Sequence, residues 1–292
     1  MLKNINNHIL YKGDIMKQKK LNIIFTYFII DFSFFYTNKI IVYLKNNDPI
    51  MIKIKEYDME YSDTKVESII NYLDIIPGKN GDKIDINKSY EKMKKTGKFD
   101  KNLLVFEKTK PKNSINYDNY IVSLNKSQNS ISIIFELKND NYIYDILNIL
   151  KSKGINVTFF LSKEVMENKE IINDIIENGN EIELLSDNYT VYELNKYNSL
   201  LRLLSDDKLL FCLNSNRDIN LLNSCKISKL YSVVPTVKLT KGLYSYITNN
   251  LENGIIISID NNKHVLNELS SSINYIKQKG KSIILLKNII EN

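Results

Sequence analysis

Short β-branched runs alternate with amphipathic helical stretches from Ser130 to the end of the chain. This alternation predicts strands separated by helices, because apolar residues three to four positions apart line one face of a helix. Repeated β-α units with short connections imply a parallel sheet that is closed, or nearly closed, into a barrel. The predicted strands are Ser130–Phe135, Val157–Leu161, Glu181–Leu185, Leu209–Cys212, Leu230–Val234, Ile255–Ile259 and Ser282–Leu286.

Each predicted helix between these strands has one apolar face. Gly154, Gly179 and Gly280 lie where helices should end before the next strand, since glycine readily adopts the left-handed conformation of a helix C-terminus. The apolar faces are Ile143/Ile146/Leu147/Leu150, Ile171/Ile172/Ile175/Ile176 and Leu266/Leu269/Ile273/Ile276. These faces are predicted to form the core.

The pattern over residues 45–125 is less regular. Val66–Leu73 is one amphipathic segment, and Asp85 or Asn87 can cap a short helix. Leu103–Phe106 is typical of a strand. We therefore predict a small α+β accessory region before the barrel.

A basic cluster, Lys17 to Lys20, precedes an almost continuous apolar run from Leu21 to Tyr36. This order is typical of an export signal. Because no small-x-small cleavage site follows the run, we predict an uncleaved signal anchor over residues 21–44, with a cytoplasmic tail over residues 1–20. The remaining chain would lie outside the cytoplasm, tethered to the cell membrane by a single span.

Alternatives to this anchor remain open. Asp31 lies inside the apolar run, and a carboxylate at the centre of a membrane span costs about 3 kcal/mol. The run could instead be a cleaved signal peptide of a secreted protein, or a buried element of a soluble domain. Met16 lies directly before the basic cluster and is a second candidate for the translation start.

Composition and charge exclude one class of partner. A hydrophobic fraction of 43% and a charged fraction of 25% are ordinary for a globular protein. The net charge of +6 is spread over 292 residues that include 34 acidic ones, which gives a weak positive field and no stripe that would follow a phosphate backbone. We exclude nucleic acid as a partner.

The chain has two cysteines, Cys212 and Cys225. Both lie in the part assigned to the outside of the membrane, where a disulfide persists. Burial as two small apolar side chains explains them equally well. They lack the C-x-x-C spacing and the neighbouring histidine of a zinc site.

Three stretches resemble the polysaccharide deacetylase (NodB-homology, carbohydrate esterase family 4-like) superfamily. Asn156–Leu161, with its T-F-F core, is followed by a helix that ends at Gly179 and by Asn180–Ile182, which resembles the family's signature. Ile131–Glu136 resembles the family's first strand, and Gly254–Ser258 resembles a late strand. The resemblance covers about Ser130 to Asn292 and implies a distorted (β/α)7 barrel, in a predicted polysaccharide deacetylase-like domain over residues 126–292.

The resemblance also implies a chemistry in which one Asp and two His hold a divalent metal such as zinc, which activates water against an N-acetyl group. The three ligand positions fall on Leu137, Leu185 and about Tyr189. The chain has only two histidines, His8 and His264, and His8 lies before the apolar run. We therefore predict no metal and no other cofactor.

Two carboxylates remain at positions that the resemblance makes catalytic. Glu136 occupies the position of the catalytic base, and the late catalytic histidine maps near Asp260. Tyr189 and Asp187, after the third predicted strand, are candidate glycan contacts, although abundant tyrosines more often serve in a core or on a surface. Cys212 lies where the family has a substrate-orienting arginine.

These features predict a catalytically inactive pseudoenzyme that binds a cell-wall or envelope glycan. One alternative is an active metal-dependent hydrolase of carbon-nitrogen bonds in glycans, whose non-standard site uses carboxylates such as Glu136 and Asp260. A second alternative is an envelope module that binds another protein and has no affinity for glycans.

Overall fold

The computed structural model describes residues 2–185, 189–205 and 208–291, and the side chains of residues 23–185, 189–204 and 208–290. The chain forms two compact units. The smaller unit comprises residues 1–63 and 82–107, and the larger unit comprises residues 64–81 and 108–292.

The larger unit is an α/β domain built on one curled, half-barrel sheet. Its strands are β1 (Ile69–Asn71), β2 (Asp74–Ile76), β5 (Tyr120–Ile121), β6 (Ser130–Leu137), β7 (Thr158–Leu161), β8 (Glu181–Leu184), β9 (Phe211–Leu213), β10 (Tyr231–Val233), β11 (Val237–Leu239), β12 (Ile256–Asp260) and β13 (Ser282–Ile283). Its helices are α4 (Ile143–Lys153), α5 (Lys163–Met166), α6 (Lys169–Glu177), α7 (Val191–Ser205), α8 (Ile219–Ile227), α9 (Leu243–Asn250), α10 (Lys263–Gln278) and α11 (Asn288–Glu291).

The strands of this sheet follow the order β1-β2-β5-β10-β9-β8-β7-β6-β12-β11, and β13 pairs with β6. Pairing is parallel except between β1 and β2. Parallel strands connected through helices place all their carboxyl ends at one edge of the sheet. The candidate catalytic residues Glu136 and Asp260 end two adjacent strands, β6 and β12, and lie directly opposite each other in register.

The sheet separates two apolar clusters. On its outer face, Ile133, Phe135 and Leu137 pack with the apolar faces of α4, α6 and α10 in a cluster that we call the sheet–helix core. On its inner face, Ile134 and Leu185 belong to a second set, the inner-face cluster, which also contains Phe160, Phe211, Leu286 and Ile289. Each fully buried Ile or Leu contributes about 1.5–3 kcal/mol by leaving water, so both faces stabilise the sheet.

All seven strands predicted for the barrel are present, as β6–β10, β12 and β13. The three predicted helix ends are confirmed too, with φ of 57°, 79° and 69° at Gly154, Gly179 and Gly280. The last strand is shorter than predicted, because the chain turns towards the inner face after Ile283. There Leu286 N donates to Thr158 Oγ1 at 3.1 Å, and Lys287 N donates to the carboxylate of Glu181 at 3.0 Å.

The boundary between the predicted accessory region, 45–125, and the predicted deacetylase-like domain, 126–292, differs from the division of the chain into units. Residues 64–81 and 108–125 belong to the larger unit, because β2 and β5 pair with each other and β5 pairs with β10. Both strands have only two or three residues, which is too short for alternation of apolar and polar residues to reveal them.

The smaller unit contains α1 (Leu2–Asn46), α2 (Pro49–Tyr61), α3 (Ile86–Lys94) and a 3-10 turn (Lys101–Leu103). Its core consists of Met51, Ile54, Ile84, Tyr90 and Met93. The strands β3 (Gly81–Ile84) and β4 (Phe106–Thr109) pair with each other where the two units join along the chain.

Asp85 caps α3 by accepting a hydrogen bond from Lys88 N at 2.9 Å, so of the two predicted caps it is Asp85 that serves. The predicted strand Leu103–Phe106 is displaced towards the C-terminus. Asp100 caps the 3-10 turn that precedes it by accepting from Asn102 N, and strand β4 starts only at Phe106.

The predicted membrane span over residues 21–44 is part of α1. No helix in the described ranges is both long enough and apolar enough to cross a membrane. Asp31 and Lys39 interrupt the apolar run, and the transmembrane prediction is therefore not supported.

Candidate functional site

Glu136, the predicted base, lies one residue before the carboxyl end of β6 and is completely buried. Its Oε1 accepts a hydrogen bond from Ser258 Oγ on β12 at 2.5 Å, and its Oε2 lies 2.5 Å from Lys238 Nζ on β11. A buried carboxylate is tolerated only when a cation and hydrogen-bond donors replace the water it loses. Lys238 supplies the cation and Ser258 supplies the hydroxyl donor to this carboxyl group.

Asp260 has a partner of its own. Lys138 Nζ lies 3.1 Å from Asp260 Oδ1, and this pair is more exposed than the pair of Glu136 and Lys238. The carboxylates of the two strands are thus each neutralised by a different lysine.

The loops that follow the two strands are tied together by Asn261. Its amide nitrogen donates to the backbone oxygens of Asn139 and Asn141 at 2.9 Å each. These bonds join the start of the β6–α4 connection to the β12–α10 connection. The arrangement fixes the edge of the sheet at which both carboxylates lie.

The three positions that the resemblance makes metal ligands are apolar or buried. Leu137 is fully buried in the sheet–helix core, whereas Leu185 belongs to the inner-face cluster. Tyr189 is only 6% exposed, packs in the sheet–helix core and makes an edge-on contact with Tyr197 at 5.8 Å. The chemistry of these side chains does not fit zinc, which takes thiolate, imidazole and carboxylate ligands.

Within the ranges that the structure describes, the other carboxylates at the sheet do not gather into a replacement metal site. Glu183, on β8, accepts backbone hydrogen bonds from Leu210 N and Phe211 N, where β9 begins. Among the residues that the structure describes, no group of three or more His, Cys, Asp or Glu side chains could hold a metal ion. Asp187, a candidate glycan contact, lies outside the described residues.

The sequence suggested Tyr189 as a glycan contact. Its buried placement leaves little of the ring available to stack on a sugar. Lys163 Nζ covers the ring at 4.8 Å from its centroid. The tyrosine therefore serves to pack α7 against the sheet. Tyr192, which is 78% exposed, presents a broad ring in this region.

Cys212 and Cys225 form a disulfide that links β9 to α8. Both residues are fully buried, and their Cα atoms are 6.4 Å apart. Cys212 thus lies at a family arginine position but faces the sheet–helix core. It offers no cation to orient a substrate.

Sequence reasoning missed Lys238 and Ser258, the two partners of Glu136. Lys238 is the middle residue of β11, which follows Pro235 and has only three residues. The alternation Val237-Lys238-Leu239 is the one signal that could have indicated a strand with the lysine on the opposite face from its neighbours.

Residues 123–209 match the family model described as polysaccharide deacetylase. This range contains the T-F-F strand and the helix and turn that follow it. A curated relative, the uncharacterized protein YlxY of Bacillus subtilis strain 168, is 28% identical over 141 residues, which span 46% of this chain and 43% of that protein. The match therefore covers less than half of the relative.

The solved structures that resemble this chain include BA3943 from Bacillus anthracis, a pseudoenzyme of carbohydrate esterase family 4. It is 18% identical, with a TM-score of 0.63 over 84% of this chain and 95% of that chain. A BA3943 mutant with restored enzymatic activity gives the same TM-score of 0.63 and 18% identity, over 82% of this chain and 97% of that one.

The peptidoglycan N-acetylglucosamine deacetylase Bc1960 is 17% identical, with a TM-score of 0.52 over 58% of this chain and 92% of that chain. At such identities these likenesses establish the fold, and fold alone does not fix function. Together with the family match, they confirm the resemblance drawn from the sequence.

Proposed function

We propose that this chain, a degenerate member of the polysaccharide deacetylase superfamily, binds a glycan of the cell envelope and does not remove acetyl groups from it. The single observation that carries the proposal is the pairing of Glu136 with Lys238. Metal-assisted deacetylation needs a carboxylate free to take a proton from water and a metal to polarise the carbonyl. Glu136 is completely buried and already neutralised by an ammonium group.

The apolar ligand positions support the inactive state. A leucine at position 137 in the sheet–helix core and another at 185 in the inner-face cluster bind no cation. The similarity in fold to BA3943, which is described as a pseudoenzyme, supports the same proposal.

The glycan part of the proposal rests on the family. Bc1960, which shares the fold, is a peptidoglycan N-acetylglucosamine deacetylase. A scaffold that has lost its catalytic groups retains its shape, and a groove shaped for a sugar chain can bind without reacting.

We further propose that the domain works outside the cytoplasm. The disulfide between Cys212 and Cys225 supports this location, because disulfides persist in oxidising compartments and are rare in the cytosol.

The test uses the full chain with two probes, the N-acetylglucosamine hexamer and purified peptidoglycan. Acetate release is measured with zinc, cobalt or manganese and without metal, and binding is measured by calorimetry for the hexamer and by co-sedimentation for peptidoglycan. We expect binding without acetate release. The matched variant Glu136→Gln should bind as the wild type does, since the carboxylate is enclosed by Lys238 and Ser258.

Acetate release that depends on a metal and is lost in Glu136→Gln would contradict the inactive state. Absence of binding to both probes would contradict the glycan proposal, and a module that binds another protein would then be the better explanation.

A further inference from the structure

A second cleft lies in the larger unit, at the amino ends of β9 and β10. We call it the amino-end cleft. Its volume is about 280 Å³, and its polar lining includes Tyr117, Arg202, Lys208, Ser228, Lys229 and Tyr231. Tyr231 is the first residue of β10, and Lys208 lies three residues before β9.

This cleft is distinct from the site around Glu136. Its lining contains neither Glu136 nor Asp260. Three strands, β7, β8 and β9, lie between β6, which carries Glu136, and β10, whose first residue lines the cleft. The cleft therefore uses none of the positions that the resemblance makes catalytic or metal-binding.

The cleft has a tyrosine platform. Tyr117 and Tyr231 are stacked, with ring centroids 4.6 Å apart and an interplanar angle of 26°. Both rings are partly exposed at the cleft. Burial, and then the hydrogen bond with Tyr117, raises the pKa of Tyr231 to about 12, so the hydroxyl stays protonated and able to donate. The C–H face of a sugar ring packs favourably on such an aromatic surface.

The cleft also has three cations. Arg202, Lys208 and Lys229 are all exposed, and no acidic residue lines the cleft among the residues with described side chains. Lys208 also lines a neighbouring hollow together with Glu181. Burial raises the pKa of Glu181, and its carboxylate is occupied by Thr158 Oγ1 and Lys287 N, which leaves the lysine for other anions.

One buried group in the lining lacks a partner. Ser228 is 9% exposed, and its hydroxyl makes no hydrogen bond within the described part of the chain. A buried hydroxyl without a partner is unfavourable, so such a group is suited to hydrogen-bond a ligand in the cleft. Lys229, the next residue, has a φ of 57°, in the left-handed region that favours glycine. Its side chain lines the cleft and contributes a cation.

We propose that the amino-end cleft binds an acidic saccharide, whose ring packs on Tyr117 and Tyr231 and whose carboxylate or phosphate pairs with Arg202, Lys208 and Lys229. This inference rests on the proposed glycan binding and deepens it, because it assigns the contact to a surface and specifies a charged glycan. Guanidinium and ammonium groups form short, charge-assisted hydrogen bonds with carboxylate and phosphate, which would select an acidic sugar over a neutral one.

The test measures by calorimetry the affinity of the full chain for two hexasaccharides. The acidic one alternates glucuronate with N-acetylglucosamine, and the neutral one is the N-acetylglucosamine hexamer. Glucose 6-phosphate serves as a third probe, which presents phosphate in place of carboxylate. The variant is Arg202→Gln with Lys229→Gln, and the control is Lys241→Gln, which removes an exposed charge outside the cleft. Tyr117→Leu removes the aromatic face, and Tyr117→Phe keeps it.

We expect the wild type to bind the acidic hexasaccharide at least tenfold more tightly than the neutral one. The double glutamine variant should bind the acidic probe about tenfold more weakly, since each charge-assisted contact contributes on the order of a tenfold factor. Lys241→Gln and Tyr117→Phe should match the wild type, and Tyr117→Leu should weaken binding. If the wild type prefers glucose 6-phosphate to the neutral hexamer and the double variant loses that preference, the cleft binds sugars that carry a phosphate.

Equal affinity for the acidic and neutral hexamers, unchanged in the double variant, would overturn this inference and leave the proposed function intact. Failure of every glycan to bind the wild type would overturn the proposed function as well. If Lys241→Gln weakened binding of the acidic probe as much as the double variant does, the cause would be the overall charge of the protein, and the inference would also be overturned.

Discussion

Lys238 Nζ lies 2.5 Å from Glu136 Oε2, across the strand β12 that separates their two strands. Lys238 is opposite Ser258 in register, and Ser258 completes the enclosure of the same carboxylate. The carboxylate at the position that the resemblance makes a base is thus part of an ion pair. The pair connects β6 to β11 across β12.

Loss of this ammonium should destabilise the domain. Lys238→Met leaves a fully buried carboxylate without its cation, which typically costs about 3–5 kcal/mol. Because the lysine side chain is itself 39% exposed, water screens part of the effect and we expect a loss of about 2 kcal/mol. Urea unfolding measures the change, with Lys241→Met as the control.

The double variant Glu136→Met with Lys238→Met should recover most of that loss, because replacement of both partners of a buried pair by apolar groups is often neutral. Equal destabilisation in the single and double variants would contradict an interaction between the two residues.

The disulfide should be a second source of stability. It closes a loop with a sequence separation of 13 residues, and loops of this length are stabilised by about 3 kcal/mol. We expect reduction to lower the free energy of urea unfolding by roughly that amount. The variant Cys212→Ala with Cys225→Ala should be equally destabilised and insensitive to reductant, and a wild type that is also insensitive would contradict the bond.

A double variant that combines Leu137→Asp with Leu185→His should not create a zinc site. Leu137→Asp places a carboxylate in the sheet–helix core, and an unpaired buried charge there should cost at least about 3 kcal/mol. Leu185→His changes the inner-face cluster, on the other face of the sheet. Thermal unfolding of the double variant should therefore be unaffected by zinc.

Leu137→Met is the matched control, because it keeps the side chain apolar and should cost less than about 1.5 kcal/mol. A zinc-dependent rise in the melting temperature of the double variant would show that both ligands reach one ion, and would contradict this assignment of faces.

The long, strongly periodic elements could be predicted from the sequence, and the site could be predicted only in part. The strand that starts at Ser130 and the helix that starts at Ile143 can be predicted because several apolar residues of each share one face. Strand β11 has three residues, too few to establish a period, and its pairing with β12 is a long-range contact. The position of Glu136 was therefore predictable from the family motif, while its lysine partner required the fold.

The N-terminal region shows the opposite limit. The order of a basic cluster and an apolar run indicates a membrane span, but no stretch of 18 residues among the described residues of helix Leu2–Asn46 is apolar enough to be one. Asp31 and Lys39 each weigh heavily in such a sum, because a charged residue offsets several apolar ones. The basic cluster and the apolar run could be recognised in the sequence, but whether the run spans a membrane could not be decided from it.

The start of α7 provides a prediction about pH. Glu193 pairs with Lys163, and its carboxylate accepts from Thr190 N at 2.9 Å, while Glu193 N donates to Thr190 Oγ1 at 3.3 Å. This reciprocal arrangement is a capping box. The side chain of Lys163, followed by the bonds from Thr190, lowers the pKa of Glu193 to about 2.

A depressed carboxyl pKa stabilises the folded state above the ordinary pKa of about 4.3, and that contribution is lost as the pH falls towards the folded value. Wild type should therefore melt at a higher temperature than Glu193→Gln at pH 6, and the difference should shrink steadily below pH of about 4.5. Melting temperatures at several values of pH measure this, with Lys163→Met as a partner variant that removes the largest cause of the shift. A difference that stays constant down to pH of about 3 would contradict the lowered pKa.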